Sequence, residues 1–540
     1  MATTYETKTL EHLGIVASMC DELGIGELID QVIPQDFEQR QVSTGQAVKA
    51  MILNGLGFAN RRLYLTPHFF LNKPVERLLG EGIKPEHLTD DALGKTLDEL
   101  HTFGVTELFT LIGQQAVTRL GLSPKVGHLD ASSFHTDGKI NSNEEPNEGV
   151  VHVTRGYSRD HRGDLNQVVL ELICENRARL PILMRPLSGN QSDKTSFQEV
   201  VTRHVHHLQA AGVEVLVTDS SGYTRGTLQA LENTQVAWVM SVPATLSDAK
   251  KLLEGLEAND FSPLSEGYDA VRVETNYAGI KQRWLVIRSQ AGKERAKSSA
   301  SRQLLKQSEK ERKRFEKLCR QEFSCEADAK EALSRFERSS RVLKVLQQQV
   351  LEMRHYQQPG RPAKDAKPAR LSYQVQGVLV ASTTLLEERI ERASRFILAT
   401  SDTTGEILTD FEVLAAYKDQ SNVERGFRFL KDPMFLASTL YLKKAERIMA
   451  LLMVMTLCLL VYAALEHRIR NTLAQNEAVV PNQKGKPTAT PTARWVFEMF
   501  LDVHVLFIFQ ERVQVLVMNL KDELKLLLDL LGPPYSEVYS

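Results

Sequence analysis

Val213 to Asp219 reads V-E-V-L-V-T-D, a short run of β-branched and apolar residues that ends on a carboxylate. Bounded by Gly212 before it and Ser220-Ser221-Gly222 after it, the run reads as a buried strand entering a turn. Immediately upstream, Ser192 to Ala211 reads as a helix, with Asp193 near its start and Gly212 just past its end. Before that helix come Val126 to Ala131 (V-G-H-L-D-A), Val150 to Tyr157 (V-V-H-V-T-R-G-Y) and Gln167 to Glu175 (Q-V-V-L-E-L-I-C-E), with Leu180 to Leu187 as a further short extended run. Downstream, Thr224 to Leu231 reads as a helix and Val236 to Val242 as a strand. Three leading strands predict a meander, and the later alternation with helices predicts parallel additions to a mixed sheet. The fold class is therefore α/β (mixed α+β).

That order resembles the ribonuclease H-like fold. In such sheets the side chains that do chemistry sit at strand ends. Asp130 lies near the end of the first strand and Asp219 ends the fourth. Each alone reads as a turn or cap aspartate. Their matched positions in a strand order known for two-metal chemistry favour a shared role for the pair.

A second stretch, Tyr417 to Lys431, reads Y-K-D-Q-S-N-V-E-R-G-F-R-F-L-K. Val423, Phe427 and Leu430 recur at helical spacing, which predicts one amphipathic helix across the stretch. Glu424 stands seven residues after Tyr417 and seven before Lys431, so a continuous helix would set all three in one row. A tyrosine, a carboxylate and a lysine in line suit a phosphate backbone held beside a metal ion. An ordinary charged surface helix gives the same pattern.

The bulk composition restrains the reading. The 540 residues predict two to four domains, and 42% hydrophobic with 25% charged residues is ordinary for a globular chain. A formal net charge of -2 places any DNA-facing surface in local basic runs. Cys20, Cys174, Cys319, Cys325 and Cys458 are scattered and odd in number, which points to a reducing, cytoplasmic compartment and away from a disulfide framework. No His/Cys set at finger spacing points to zinc. The polar start M-A-T-T-Y-E-T-K carries no signal-peptide pattern. Ile448 to Leu465 runs 18 residues without a charge, long enough for a membrane span, but it is solitary and follows the Glu424 stretch, so a buried helix is expected and no membrane partner.

Five segments follow. Residues 1–122 read as a helical N-terminal domain, either DNA-end-binding or a packing and dimerisation module; within it Ser43 and Gln46 form a capping box for a helix over Thr44 to Gly57. Residues 123–243 hold the first part of the core, and 244–402 an insertion. In that insertion Lys293 to Lys344 carries sixteen Lys/Arg against nine Asp/Glu, a long helix or helical hairpin with a solvated or DNA-facing surface. The G-R-P within Gln358 to Arg370 reads as a minor-groove hook or a plain linker. Residues 403–473 supply the second part of the core with the glutamate helix. Residues 474–540 form a flexible connector, rich in proline up to Ala493, and a small C-terminal module.

With these residues in view, the chain resembles the bacterial insertion-sequence transposases of the DDE class. Within them it is most similar to the group whose core is interrupted by an insertion and whose glutamate sits in a Y-x2-R-x3-E-x6-K signature. Here the signature is Tyr417, Gln420, Glu424 and Lys431, with every spacing kept and glutamine at the arginine position. A glutamine still donates to a phosphate but brings no charge. H-L-D-A-S around Asp130, V-L-V-T-D-S-S-G-Y around Asp219, Gly156 to Arg162 (G-Y-S-R-D-H-R) and Ser188 to Lys194 (S-G-N-Q-S-D-K) also resemble segments of these enzymes. The resemblance implies that Asp130, Asp219 and Glu424 hold two Mg²⁺ or Mn²⁺ ions, and that Tyr417, Gln420 and Lys431 hold phosphates of double-stranded DNA. It implies a bacterial enzyme acting at the nucleoid, as a homodimer on paired terminal inverted repeats, that cleaves strands and joins them to target DNA. A nuclease on the same fold, or an inactive DNA-binding relative, would carry much of the same sequence.

Overall fold

The computed structural model describes residues 3–35, 40–58, 65–136, 147–158, 162–356, 367–432, 442–510 and 512–540. The chain divides into two compact units: Met1–Ser241, Asn276–Gln282 and Thr400–Ser540 form one, and Val242–Thr275 with Arg283–Ala399 the other.

The sheet of the first unit is built from Val126–His135, Gln167–Glu175, Pro181–Ser188, Val215–Thr218 and Ala237–Ser241, here called the first to fifth core strands. Their spatial order is third, second, first, fourth, fifth. The first three pair antiparallel, whereas the fourth runs parallel to the first and the fifth parallel to the fourth. This is the ribonuclease H-like arrangement that the strand sequence predicts. The second and fourth strands are buried along their whole length, as expected for a sheet covered on both faces.

Val150 to Tyr157 is not a strand. Thr154 makes a single bridge to Gln167, and Gly189 donates its N–H to the His152 carbonyl. The segment lies across the ends of the second and third strands, and Val151 and Val153 are buried there. A β-carbon on Gly156 would collide with the Gly189 carbonyl, and one on Gly189 with the Gln167 carbonyl. Close backbone approach therefore requires both glycines, and Val151 and Val153, alternate residues, are buried without a continuous ladder.

The helix Ala445–Gln475 is the centre of this unit. It packs against Leu13–Glu22, Thr44–Leu56, Asp90–Phe103 and Val105–Arg119, and against the third core strand. Among the described residues it alone is long and apolar enough to cross a membrane, and 94% of its most apolar window is buried inside the fold. Its lack of a polar face is the consequence of having neighbours on every side. The Ser43–Gln46 capping box forms as predicted, with reciprocal hydrogen bonds of 3.1 and 3.0 Å. The strand Thr4–Thr9 pairs with His504–Phe509, which pairs in turn with Val513–Met518. The proline-rich connector carries a short hairpin, Val480–Pro481 against Pro487–Thr488.

The second unit contains two charged helices, Gln290–Arg320 and Glu326–Ser339, followed by a long antiparallel hairpin, Leu343–His355 with Arg370–Ala381. Phe315, Ala329, Leu333, Phe336, Val345 and Val375 close a core of their own. On the first helix Lys297 pairs with Glu294, Lys313 with Glu309 and Arg312 with Glu316, a solvated face laced by local ion pairs. The G-R-P segment lies outside the described residues.

Candidate active site

The parallel pairing of the first and fourth strands ends at Leu129 opposite Thr218. Asp130 and Asp219 are each the next residue, so the register sets them side by side where the ladder stops. Neighbouring strands are about 4.8 Å apart, and equal register positions project to the same face of a sheet. Asp130 is only 8% exposed, and one of its oxygens accepts the Ala131 N–H at 2.8 Å. Asp219 is half-buried and accepts the Ser221 N–H at 2.9 Å and the Ser221 hydroxyl, so Ser220-Ser221-Gly222 serves as an Asx-type turn under the carboxylate.

His128 precedes Asp130 by two residues on the same face. It is fully buried, neither ring nitrogen has a hydrogen-bond partner among the described residues, and burial pushes its pKa down to about 4. It packs as a neutral ring. His135, at the end of the strand, lies 3.3 Å from the Ser158 hydroxyl.

Tyr417 to Lys431 is not one helix. Asp410–Asp419 and Ser421–Leu430 are separate helices joined at Gln420. The joint is tightened by i→i−3 bonds, Gln420 N–H to the Tyr417 carbonyl and Val423 N–H to the Gln420 carbonyl. At this joint the Gln420 side chain turns inward, is 8% exposed, and donates from Nε2 to the Leu129 carbonyl at 3.4 Å. That buried rotamer leaves Gln420 no open surface for a phosphate. Tyr417 lies half-buried in the last turn of the first helix, and Lys431 caps the second with its ammonium 5.6 Å above the Phe134 ring. The predicted single row is thus divided at Gln420.

The second helix nonetheless crosses the strand that carries Asp130, touching it at Leu129 on one side of the aspartate and at Phe134 on the other. Val423, Phe427 and Leu430 form its buried stripe, as the spacing predicts. Glu424 sits in the first turn, where a carboxylate suits the helix dipole, and is exposed. Among the described residues no three His, Cys, Asp or Glu side chains converge on a point that could hold a metal ion. The two aspartates fit one edge of a hard-cation site, being adjacent oxygen donors where the parallel ladder stops; the first strand itself runs on to His135, so Asp130 stands at its middle and not near its end as the sequence predicts. Glu424 is on the right strand's cover but faces solvent.

Five core strands in ribonuclease H-like order, with adjacent aspartates where the parallel ladder ends, are an arrangement shared with metal-dependent phosphoryl-transfer enzymes. The chain belongs to the transposase DDE domain family, whose model matches residues 122–461; a domain of unknown function, DUF4277, matches residues 5–114. That family is one of transposases, and its members generally use divalent metal ions. Comparison with curated proteins gives no match. Among solved structures, a piggyBac transposase synaptic complex with hairpin DNA is 11% identical, with 91% of this chain and 78% of that one covered at a TM-score of 0.36. The Mos1 transposase paired-end complex with the left transposon end is 13% identical over 36% of this chain and 57% of that one, at a TM-score of 0.15.

Proposed function

We propose that the protein is an insertion-sequence transposase that binds the element's terminal inverted repeats, cleaves a strand at each end and joins the freed 3′-hydroxyl to target DNA. In this reading Asp130, Asp219 and Glu424 are the metal ligands. Two Mg²⁺ or Mn²⁺ ions, when bound, supply activation of the attacking oxygen and stabilisation of the leaving one. Tyr417 and Lys431 flank Glu424 as phosphate contacts, while Gln420 locks the joint that aims its helix. The working assembly is a homodimer on paired ends in the bacterial cytoplasm. The observation that carries the reading is the register that sets Asp130 beside Asp219, under the helix that bears Glu424.

The exposure of Glu424 favours one alternative, a DNA-binding relative in which the three carboxylates never meet. Cleavage of DNA carrying the element's own ends, with Mg²⁺, separates the two. Wild type should cleave, and Glu424→Gln should bind equally and not cleave. Binding without cleavage by both proteins would establish the alternative, and equal cleavage by both would remove Glu424 from the site.

A further inference from the structure

Away from the aspartates, two cavities of about 590 and 350 Å³ share Ala178, Arg179, Ala463, Glu466 and Arg470, and so form one continuous groove within the first unit. Its arginines come from three elements. Arg177 and Arg179 stand on the turn between the second and third core strands, Arg425 on the Glu424 helix, and Arg470 on the long apolar helix.

The turn is built to hold its arginines still. The buried Glu175 carboxylate accepts the N–H groups of Arg177 at 2.8 Å, Ala178 at 2.5 Å and Leu180 at 3.1 Å. Arg179 takes a left-handed backbone, φ +61°, which a side-chain-bearing residue adopts only when its surroundings force it. A glycine would relieve that strain, yet an arginine occupies the position.

The acids nearby do not neutralise the groove. Glu466 is committed to Arg470 at 2.7 Å and to the Ala493 N–H at 3.0 Å, and is 4.0 Å from Arg179. Asp419 is the other carboxylate facing Arg179. Burial, with Arg470 beside it, holds His467 toward its neutral form. Four guanidiniums therefore face two carboxylates. Among the described residues neither the Arg177 nor the Arg425 side chain has an ion-pair partner.

Resting on the transposase reading, we propose that this groove is a second DNA track, which takes backbone phosphates of duplex DNA independently of sequence. Arginine is the residue suited to it, because its planar fork grips two phosphate oxygens at once. The Glu424 helix carries the track's register. Asn422, Arg425 and Phe429 line the groove on one side of it, while Glu424, Arg428 and Lys431 follow one another at helical spacing on another. A strand seated on Arg177, Arg179 and Arg425 would fix how far the remaining duplex extends toward Glu424.

The test is binding of a duplex of unrelated sequence, without divalent metal, across a salt series. Arg177→Gln with Arg425→Gln is the variant, since both side chains are exposed and neither holds the fold together. A matched control, Lys521→Gln with Lys525→Gln, removes two exposed charges at the C-terminal helix Asp522–Leu531. Each lost phosphate contact should lower the slope of log K against log salt by about 0.9, so the variant's slope should fall by about 2, with affinity down roughly tenfold or more and the melting temperature unchanged. The control should leave the slope as in wild type. An unchanged slope in the variant, with wild type binding normally, overturns the groove alone. A drop of equal size in the control shows a diffuse charge effect and likewise overturns it. Failure of the wild-type protein to bind any duplex would sink the transposase reading and the groove with it.

Discussion

Asp130 and Glu171 occupy neighbouring strands of one sheet, and both are buried, yet the fold treats them in opposite ways. Glu171, fully buried on the face covered by the helix Asp193–Ala210, lies 3.3 Å from Arg185, which also reaches Glu199 at 2.8 Å. Burial still pushes the Glu171 pKa up to about 7 against the pull of Arg185. Asp130 projects to the other face, beside a second aspartate and beneath a helix that carries a third carboxylate. Burial of a carboxylate therefore does not mark chemistry in this sheet. Two aspartates set side by side where a parallel ladder stops are the better mark, because like charges gathered there suit a cation.

Substitutions should separate the two faces cleanly. Asp219→Asn, isosteric and at a half-buried position, should lower metal-dependent end cleavage by roughly a thousandfold while the melting temperature moves little. Cleavage near wild-type level would dissolve the distinction. Arg185→Met should do the reverse. It leaves Glu171 buried without its cation, costs about 3 kcal/mol by chemical denaturation, and affects specific activity only through the folded fraction.

A smaller effect is expected from Gln420→Ala, which removes the donor to Leu129 from the joint before the Glu424 helix. Stability should fall by about 1 kcal/mol, and cleavage should fall further than that loss accounts for, because the helix is no longer aimed. Kinetics on the fully folded protein at low temperature decide this. A last effect is a slope in pH. Native Glu171 keeps its proton to about pH 7, whereas the unfolded chain loses it near the ordinary value of 4.5, so stability falls as pH rises through that window. Melting curves from pH 4.5 to 7 should show that component in wild type and lack it in Glu171→Gln.

The positions where sequence and structure part are instructive. The valines of Val150 to Tyr157 have the composition of a strand, but composition reports burial and cannot report a ladder partner. The heptad spacing from Tyr417 to Lys431 is that of a continuous helix, but the run is interrupted at Gln420, whose side chain is turned in toward the Leu129 carbonyl. Asn176 to Arg179, N-R-A-R between two apolar runs, reads simply as a polar turn. Its meaning came from the long helix and the Glu424 helix that fold beside it.

By itself the sequence determined the mixed α/β class, the strands around Gln167 to Glu175, Leu180 to Leu187 and Val213 to Asp219, the buried stripe of the Glu424 helix, and the burial of the long apolar helix. These depend on local periodicity and on residue shape, which the chain carries wherever it goes. Only the tertiary structure decided that Leu129 stands opposite Thr218, that Glu424 faces solvent, and that three separate elements bring four arginines to one groove. Register, exposure and convergence are relations between segments distant in sequence, and are set by how those segments pack.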